Sequence, residues 1–243
     1  MKCSALLLAA AGLAAAAPSN VPKFGRRNGG HSLPNLRNTK YPQYSSNWAG
    51  AVQIGTGYNR VTGTIIVPRA TGGTNAAASA WVGIDGDTCQ TAILQTGVSF
   101  YSDGSYDAWY EWIPDYSYSF SNFALSEGDQ IRMTVDASSK TKGVATLENL
   151  TTGKSVSHTF TNPPSTLCET NAEWIVEDFQ EGSSLVPFAN FGTVTFTNAT
   201  ASGSSGTITP SGSTIIDIES SQGKILTDCS ASSSGVTCRY TGS

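Results

Sequence analysis

The sequence is short of the groups from which most hydrolytic and metal sites are built. It holds two histidines, His31 and His158, and only His158 lies in the strand-forming part of the chain. A Ser/His/Asp site would have to rest on that one residue, which sits in the alternating stretch Ser155 to Phe160 with no glycine elbow beside it. His158 therefore reads as a solvated strand residue. The paired Asp-Thr/Ser-Gly signatures of pepsin-like sites are missing. Cysteine is scarce as well, with five in the chain, and none is in the CxxC spacing that zinc sites use. No metal and no cofactor are expected.

Long apolar runs are also lacking. The longest, Leu6 to Leu13, follows Lys2 and ends in the small residues Ala14 to Ala17, the layout of a secretory signal peptide over residues 1–17. It is too short to span a bilayer. Removing it removes Cys3 and leaves Cys89, Cys168, Cys229 and Cys238. In an oxidising compartment four cysteines make two disulfides, with three connectivities open to them. Cys229 and Cys238 flank a Ser/Gly turn, Ser230 to Gly235, so they are paired with each other and Cys89 with Cys168.

Basic residues are unevenly placed. Six of the fourteen Lys and Arg lie before Tyr41, whereas all eighteen Asp and Glu lie after it, leaving a balance of −10 beyond residue 40. Such a domain has little affinity for nucleic acid or an anionic membrane, and its net charge stays modest when carboxylates protonate in acid. Residues 18–43 are basic, rich in Pro, Gly and Asn, and without apolar periodicity, which reads as a propeptide. Arg26-Arg27 is a candidate processing site.

From Tyr44 to Ser243 the texture changes to short runs rich in Val, Ile, Thr, Tyr and Phe, separated by turn-forming clusters. Ten such runs are evident: Arg60 to Val67, Ala78 to Ile84, Thr91 to Val98, Ala108 to Ile113, Gln130 to Ala137, Val144 to Asn149, Ser155 to Thr161, Ala172 to Phe179, Thr193 to Asn198 and Thr214 to Glu219. Without helical periodicity between them they predict an all-β domain, an antiparallel β-sandwich or jelly roll. Asn149-Leu-Thr and Asn198-Ala-Thr are glycosylation acceptors; Asn162 is excluded by Pro163.

What chemistry remains is that of carboxylates and amides on strands. Residues two apart share a face of a strand, so Glu173, Ile175 and Glu177 lie together, as do Thr91, Ile93 and Gln95, and Trp109, Glu111 and Ile113. A glutamate between apolar neighbours either faces water or has a task. The tryptophan-rich stretch Trp109-Tyr110-Glu111-Trp112 points to a ligand groove.

The segments Tyr44 to Ala51, Ala80 to Gly97, Tyr106 to Trp112 and Thr170 to Phe179, in this order and spacing, closely resemble the fungal glutamic peptidases, or eqolisins. The resemblance implies a sandwich of two seven-stranded sheets and a pepstatin-insensitive acid endopeptidase acting on proteins and peptides. By motif position it implies Gln95 and Glu177 as the catalytic pair. Trp48, Trp81, Asp85, Trp109, Glu111 and Ile113 fall in segments that line or support the groove, with Asp85 and Glu111 one layer back. Ile113 departs from the aromatic residue usual at its position. The loop from Val67 to Ala80 lacks a basic cleavable insert, so a single chain is expected; a monomer is the default expectation. Two readings of the same groove rival this one. One is a jelly-roll glycoside hydrolase using Glu111 and Glu177 as paired carboxylates, and the other is a non-catalytic, lectin-like sandwich.

Overall fold

The structure is a computed structural model that describes residues 31–34 and 43–242. The expected signal peptide and most of the expected propeptide lie outside the described residues. In chain order the strands are β1 (Gln43–Ser45), β2 (Trp48–Ile54), β3 (Tyr58–Ile66), β4 (Ala77–Ile84), β5 (Ile93–Tyr101), β6 (Tyr106–Ile113), β7 (Tyr118–Ser119), β8 (Gln130–Ser139) and β9 (Lys142–Asn149). They continue as β10 (Lys154–Thr161), β11 (Asn171–Glu177), β12 (Gln180–Glu181), β13 (Ser184–Leu185), β14 (Thr193–Gly203), β15 (Gly206–Ile208), β16 (Thr214–Ile218), β17 (Thr227–Ser232) and β18 (Gly235–Tyr240).

Two sheets stack. The first runs β1-β16-β2-β11-β4-β5-β6-β7 and the second β10-β9-β8-β3-β14-β18-β17, with β15 paired to β14. Each therefore carries one strand more than the seven expected, the additions being as short as the two-residue β7 and three-residue β15. All pairings are antiparallel except β1 with β16. Hairpin β12–β13 stands apart.

Side-chain parity divides the first sheet into two apolar layers. Ala78, Ala80 and Val82 of β4, Leu94 and Val98 of β5, Trp112 of β6, and Trp174 and Val176 of β11 point at the second sheet. There they meet Val61, Ile65, Ile131, Met133, Leu147, Val194 and Phe196. Each large side chain so buried contributes about 1.5–3 kcal/mol. The opposite face carries a separate cluster of Trp48, Val52, Trp81, Ile93, Trp109, Ile175 and Ile216. That second cluster floors the cleft.

Strand β2, Trp-Ala-Gly-Ala-Val-Gln-Ile, is absent from the runs expected. Its first five residues are all buried, so both faces are apolar or small and no alternation marks it. The disulfides are those expected, Cys89–Cys168 and Cys229–Cys238. The first closes a separation of 79 residues, worth about 4–5 kcal/mol in the chain-entropy account, and ties the β4–β5 connection to the lead-in of β11. The second joins facing residues of β17 and β18, whose turn is tighter than the Ser230 to Gly235 span suggested. His158 is not freely solvated: its ring stacks on Tyr110 at 4.0 Å, and burial pulls its pKa down.

Candidate active site

Register places the polar residues of the cleft. Across the first sheet one row reads Val52, Glu173, Gly83, Gln95, Glu111, the next Gly50, Ile175, Trp81, Gly97, Trp109, and the third Trp48, Glu177, Ser79, Ser99, Asp107. The two glycines at the centre make the floor concave. A Cβ on Gly97 would lie 2.5 Å from the Trp81 Cβ, and one on Gly83 would lie 2.9 Å from Trp81 Cζ3. The Trp81 indole thus lies across bare backbone, and its Nε1 donates to Glu177 Oε2 at 2.9 Å.

Glu177 is fully buried and ringed by donors. Besides Trp81, its Oε2 is 2.7 Å from His31 Nδ1, and its Oε1 accepts the Ser32 N–H at 3.0 Å. Gln95, equally buried, faces Glu111 across the β5–β6 ladder and donates from Nε2 to Glu111 Oε2 at 2.7 Å. Its Oε1 has no partner among the described residues. Burial, then the charge of Glu177, holds Glu111 well above the usual carboxylate range, and the backbone N–H of His31 also bonds to it. Burial thus favours the protonated form of Glu111.

The other expected groove residues divide. Trp48 lies edge-on to Trp81 at 4.8 Å and donates from Nε1 to the Ser32 carbonyl at 2.8 Å. Trp109 stacks on His31 at 3.6 Å. Ile113 lies at the cleft mouth beside Leu33 and Tyr116. Asp85, expected one layer back from the groove, acts on the backbone. Its carboxylate accepts the backbone N–H groups of Cys168, Glu169, Thr170 and Asn171 at 2.7–3.2 Å. It thus organises the turn that launches β11, because four converging N–H groups need an anion more than any ligand does.

Glu173 shares the face of Glu177, as parity requires, yet it is sealed off. Burial, then the charges of Asp85 and Asp87, raises its pKa well above the ordinary value. Of the glycosylation acceptors, Asn198 is exposed. Asn149 is 1% exposed, and its Nδ2 donates to Asp129 Oδ2 at 2.8 Å while its Oδ1 accepts from Thr151 and Thr152. The nitrogen that a glycan needs is therefore already committed to a buried turn.

Sequence reasoning missed His31 altogether. It was assigned to the basic leader, where no pattern distinguishes it. It also missed Asn47, whose Nδ2 bonds Ser32 Oγ at 3.0 Å and the Leu33 carbonyl at 3.2 Å.

A β-sandwich whose cleft sets a carboxamide beside buried carboxyls has the equipment of a hydrolase that works on water directly. Comparison with known proteins makes the class specific. The Peptidase A4 family profile matches residues 46–240. Aspergillopepsin-2 of Aspergillus niger is 56% identical over 229 residues, covering 84% of this chain and 81% of that protein. Scytalidopepsin B of Scytalidium lignicola is 51% identical over 213 residues, with the same shares covered. A crystal structure of scytalido-glutamic peptidase with a transition state analog inhibitor superposes with a TM-score of 0.78 at 50% identity. It covers 81% of this chain and 98% of the other. The chain belongs to the Peptidase A4 family, the eqolisins, and is a glutamic endopeptidase. The glycosidase and lectin readings fall with that result.

Proposed function

We propose that the protein is a secreted endopeptidase that cleaves proteins in acid with Glu177 as general base and then general acid, and Gln95 as oxyanion stabiliser. Glu177 takes a proton from a water whose oxygen bonds to the scissile carbonyl carbon, and the carbonyl oxygen becomes an oxyanion. Glu177 then returns the proton to the amide nitrogen as the C–N bond breaks. Of the two N–H groups on the Gln95 amide, one is fixed by Glu111 and the other is available to the oxyanion, while Oε1 orients the water. Protonated Glu111 adds no charge that would repel the oxyanion. Trp81 Nε1 holds the base in place.

The observation that carries this reading is that Glu177 and the Gln95–Glu111 pair, both fully buried, converge on the same short piece of peptide. His31 alone touches Glu177 with its ring and Glu111 with its backbone. Secretion is supported by the leader-like residues 1–17 and the two disulfides. The test is a pair of substitutions in protein shown by circular dichroism to be folded. Glu177→Gln should leave no measurable turnover of a peptide substrate. Gln95→Ala should lower it by about 10²–10³-fold, the usual loss for one oxyanion donor. Parental turnover in Gln95→Ala together with a dead Glu111→Gln protein would instead mark a two-carboxylate site.

A further inference from the structure

The outer face of the second sheet, turned away from the cleft, is laid with hydroxyl groups. Thr193, Thr195 and Thr197 of β14 point outward there, while Val194 and Phe196 go to the core. Two aliphatic side chains break the pattern. Ile66 and Leu150 are 59% and 40% exposed, whereas Ile65 and Leu147, just before them in the chain, are buried. The ladder brings the exposed pair into one row: Ile66 faces Gln130 across β3 and β8, and the Leu150 N–H donates to the Gln130 carbonyl at 2.8 Å. With the threonines of β14 they line a groove of about 330 Å³.

Asn198 lines the same groove. It heads the acceptor Asn198-Ala-Thr200, and the register between β3 and β14 slips at this point, between Thr197 and Thr200. The bulge sets Asn198 in the left-handed region, with φ of 50°, and leaves it exposed while Ala199 turns inward. From Asn198 back to Thr193 the strand runs about 17 Å, at 3.3–3.4 Å per residue.

We propose that Asn198 is a glycosylation site whose N-linked glycan lies back along this groove, its first sugars covering Ile66 and Leu150. The inference uses the export of the chain from the function proposed above and nothing of the catalytic assignment.

The groove suits a sugar in three respects. No charged side chain lines it, so a neutral ligand loses no ion hydration there. Its aliphatic pair can receive the C–H face of a pyranose, while the threonine hydroxyls and the Gln130 amide can bond to the hydroxyl rim. Above all, the sugar is attached at the site. A tether holds it there at an effective concentration near millimolar, so contacts too weak to bind a free sugar are enough to seat this one. The glycan then hides an aliphatic pair that a secreted domain otherwise leaves in water.

The test uses the chain from residue 18, exported from a yeast host by the host's own leader, so that export does not rest on residues 1–17. Glycopeptide mass spectrometry should find Asn198 occupied. Peptide N-glycosidase removes the sugar and leaves an aspartate, which tolerates the left-handed backbone as asparagine does. The glycosylated protein should melt about 2–4 °C above the stripped one, the scale on which a domain of this size reports one partly covered aliphatic side chain. In a protein carrying Ile66→Thr and Leu150→Thr, that difference should fall by at least about half. Nuclear Overhauser contacts from the sugar protons to the Ile66 and Leu150 methyls provide a readout that does not pass through stability. Turnover of a peptide substrate should be the same with and without the sugar, because the cleft belongs to the other sheet.

A bare Asn198 in the exported protein would overturn the inference, as would the absence of methyl contacts in a protein that carries the sugar. So would a melting difference that Ile66→Thr and Leu150→Thr leave unchanged. A stripped protein that sediments as a dimer, and returns to monomer with those two substitutions, would assign the groove to a second copy of the chain instead.

Discussion

Trp81 and Glu177 meet across the floor of the cleft, indole Nε1 to Oε2, at 2.9 Å. They sit on neighbouring strands but not opposite one another, since Glu177 faces Ser79 in the ladder. The diagonal contact has room because Gly83 and Gly97 carry no side chain: the Trp81 ring lies against Gly83 and the Trp81 Cβ against Gly97.

That contact predicts a defined kinetic loss. Trp81→Phe keeps a ring on the floor and removes the donor, so kcat should fall by roughly 10–100-fold, as for a hydrogen bond to a charged group, with KM little changed. Gly83→Ala should act in the same direction, because its Cβ would press Trp81 Cζ3 at 2.9 Å. Steady-state kinetics on one peptide substrate decide the matter; an unchanged kcat in both proteins would remove Trp81 from the support of the base.

Stability should decline as the solution is made less acid. Burial, then the charge of Glu177, raises Asp178 to about 8, and burial raises Asp217 to about 6 against the opposing hydrogen bonds from Thr227 and Cys229. Glu111 and Glu173 are raised as well. These folded-state values lie above the unfolded value of about 4 for a carboxyl, so the native state binds more protons than the unfolded chain. The sign follows: stability is fullest below about pH 4 and is lost as pH rises through about 6 and then about 8. Thermal midpoints recorded between pH 3.5 and 8.5 should fall across that window, and Asp178→Asn should flatten the upper part. A midpoint that is level or rising there would contradict the buried protons.

The two Asn-X-Thr acceptors should behave differently. Asn198 is exposed at a left-handed backbone position with φ of 50°, whereas Asn149 is closed into the turn after β9 by Asp129, Thr151 and Thr152. Glycopeptide mass spectrometry of protein from a secreting eukaryotic host should find sugar on Asn198 and an unmodified Asn149. Asn149→Ala should destabilise by about 1–3 kcal/mol, since it removes one of the donors to buried Asp129 and the acceptor of the Thr151 and Thr152 N–H groups. Sugar on Asn149 in the folded protein would contradict the turn.

Much of this architecture was legible. Alternating Val, Ile and Thr marked β3, β8, β9 and β14, and strand parity put Glu173, Ile175 and Glu177 on one face, as the register bears out. Gln95 and Glu111 belong to stretches singled out separately, and they prove to be direct cross-strand partners. Less was legible where both faces of a strand are buried, as in β2, because period-2 alternation needs one face in water. Asp85 was expected one layer back from the groove, and only the fold shows what it does there, four backbone N–H groups converging on its carboxylate.

The sequence by itself determined what can be encoded locally. Side-chain period, turn chemistry, cysteine spacing and the lack of alternative nucleophiles led to a disulfide-linked β-sandwich with carboxylate and amide chemistry. The tertiary structure alone decided which of the carboxyls are sealed, which hold a backbone turn and which face the cleft. It also placed His31 against Glu177, 146 residues away in the chain. The physical reason is that burial and charge coupling depend on neighbours across the sheet, and those neighbours are set by register and by the glycines at 83 and 97 rather than by anything adjacent in sequence.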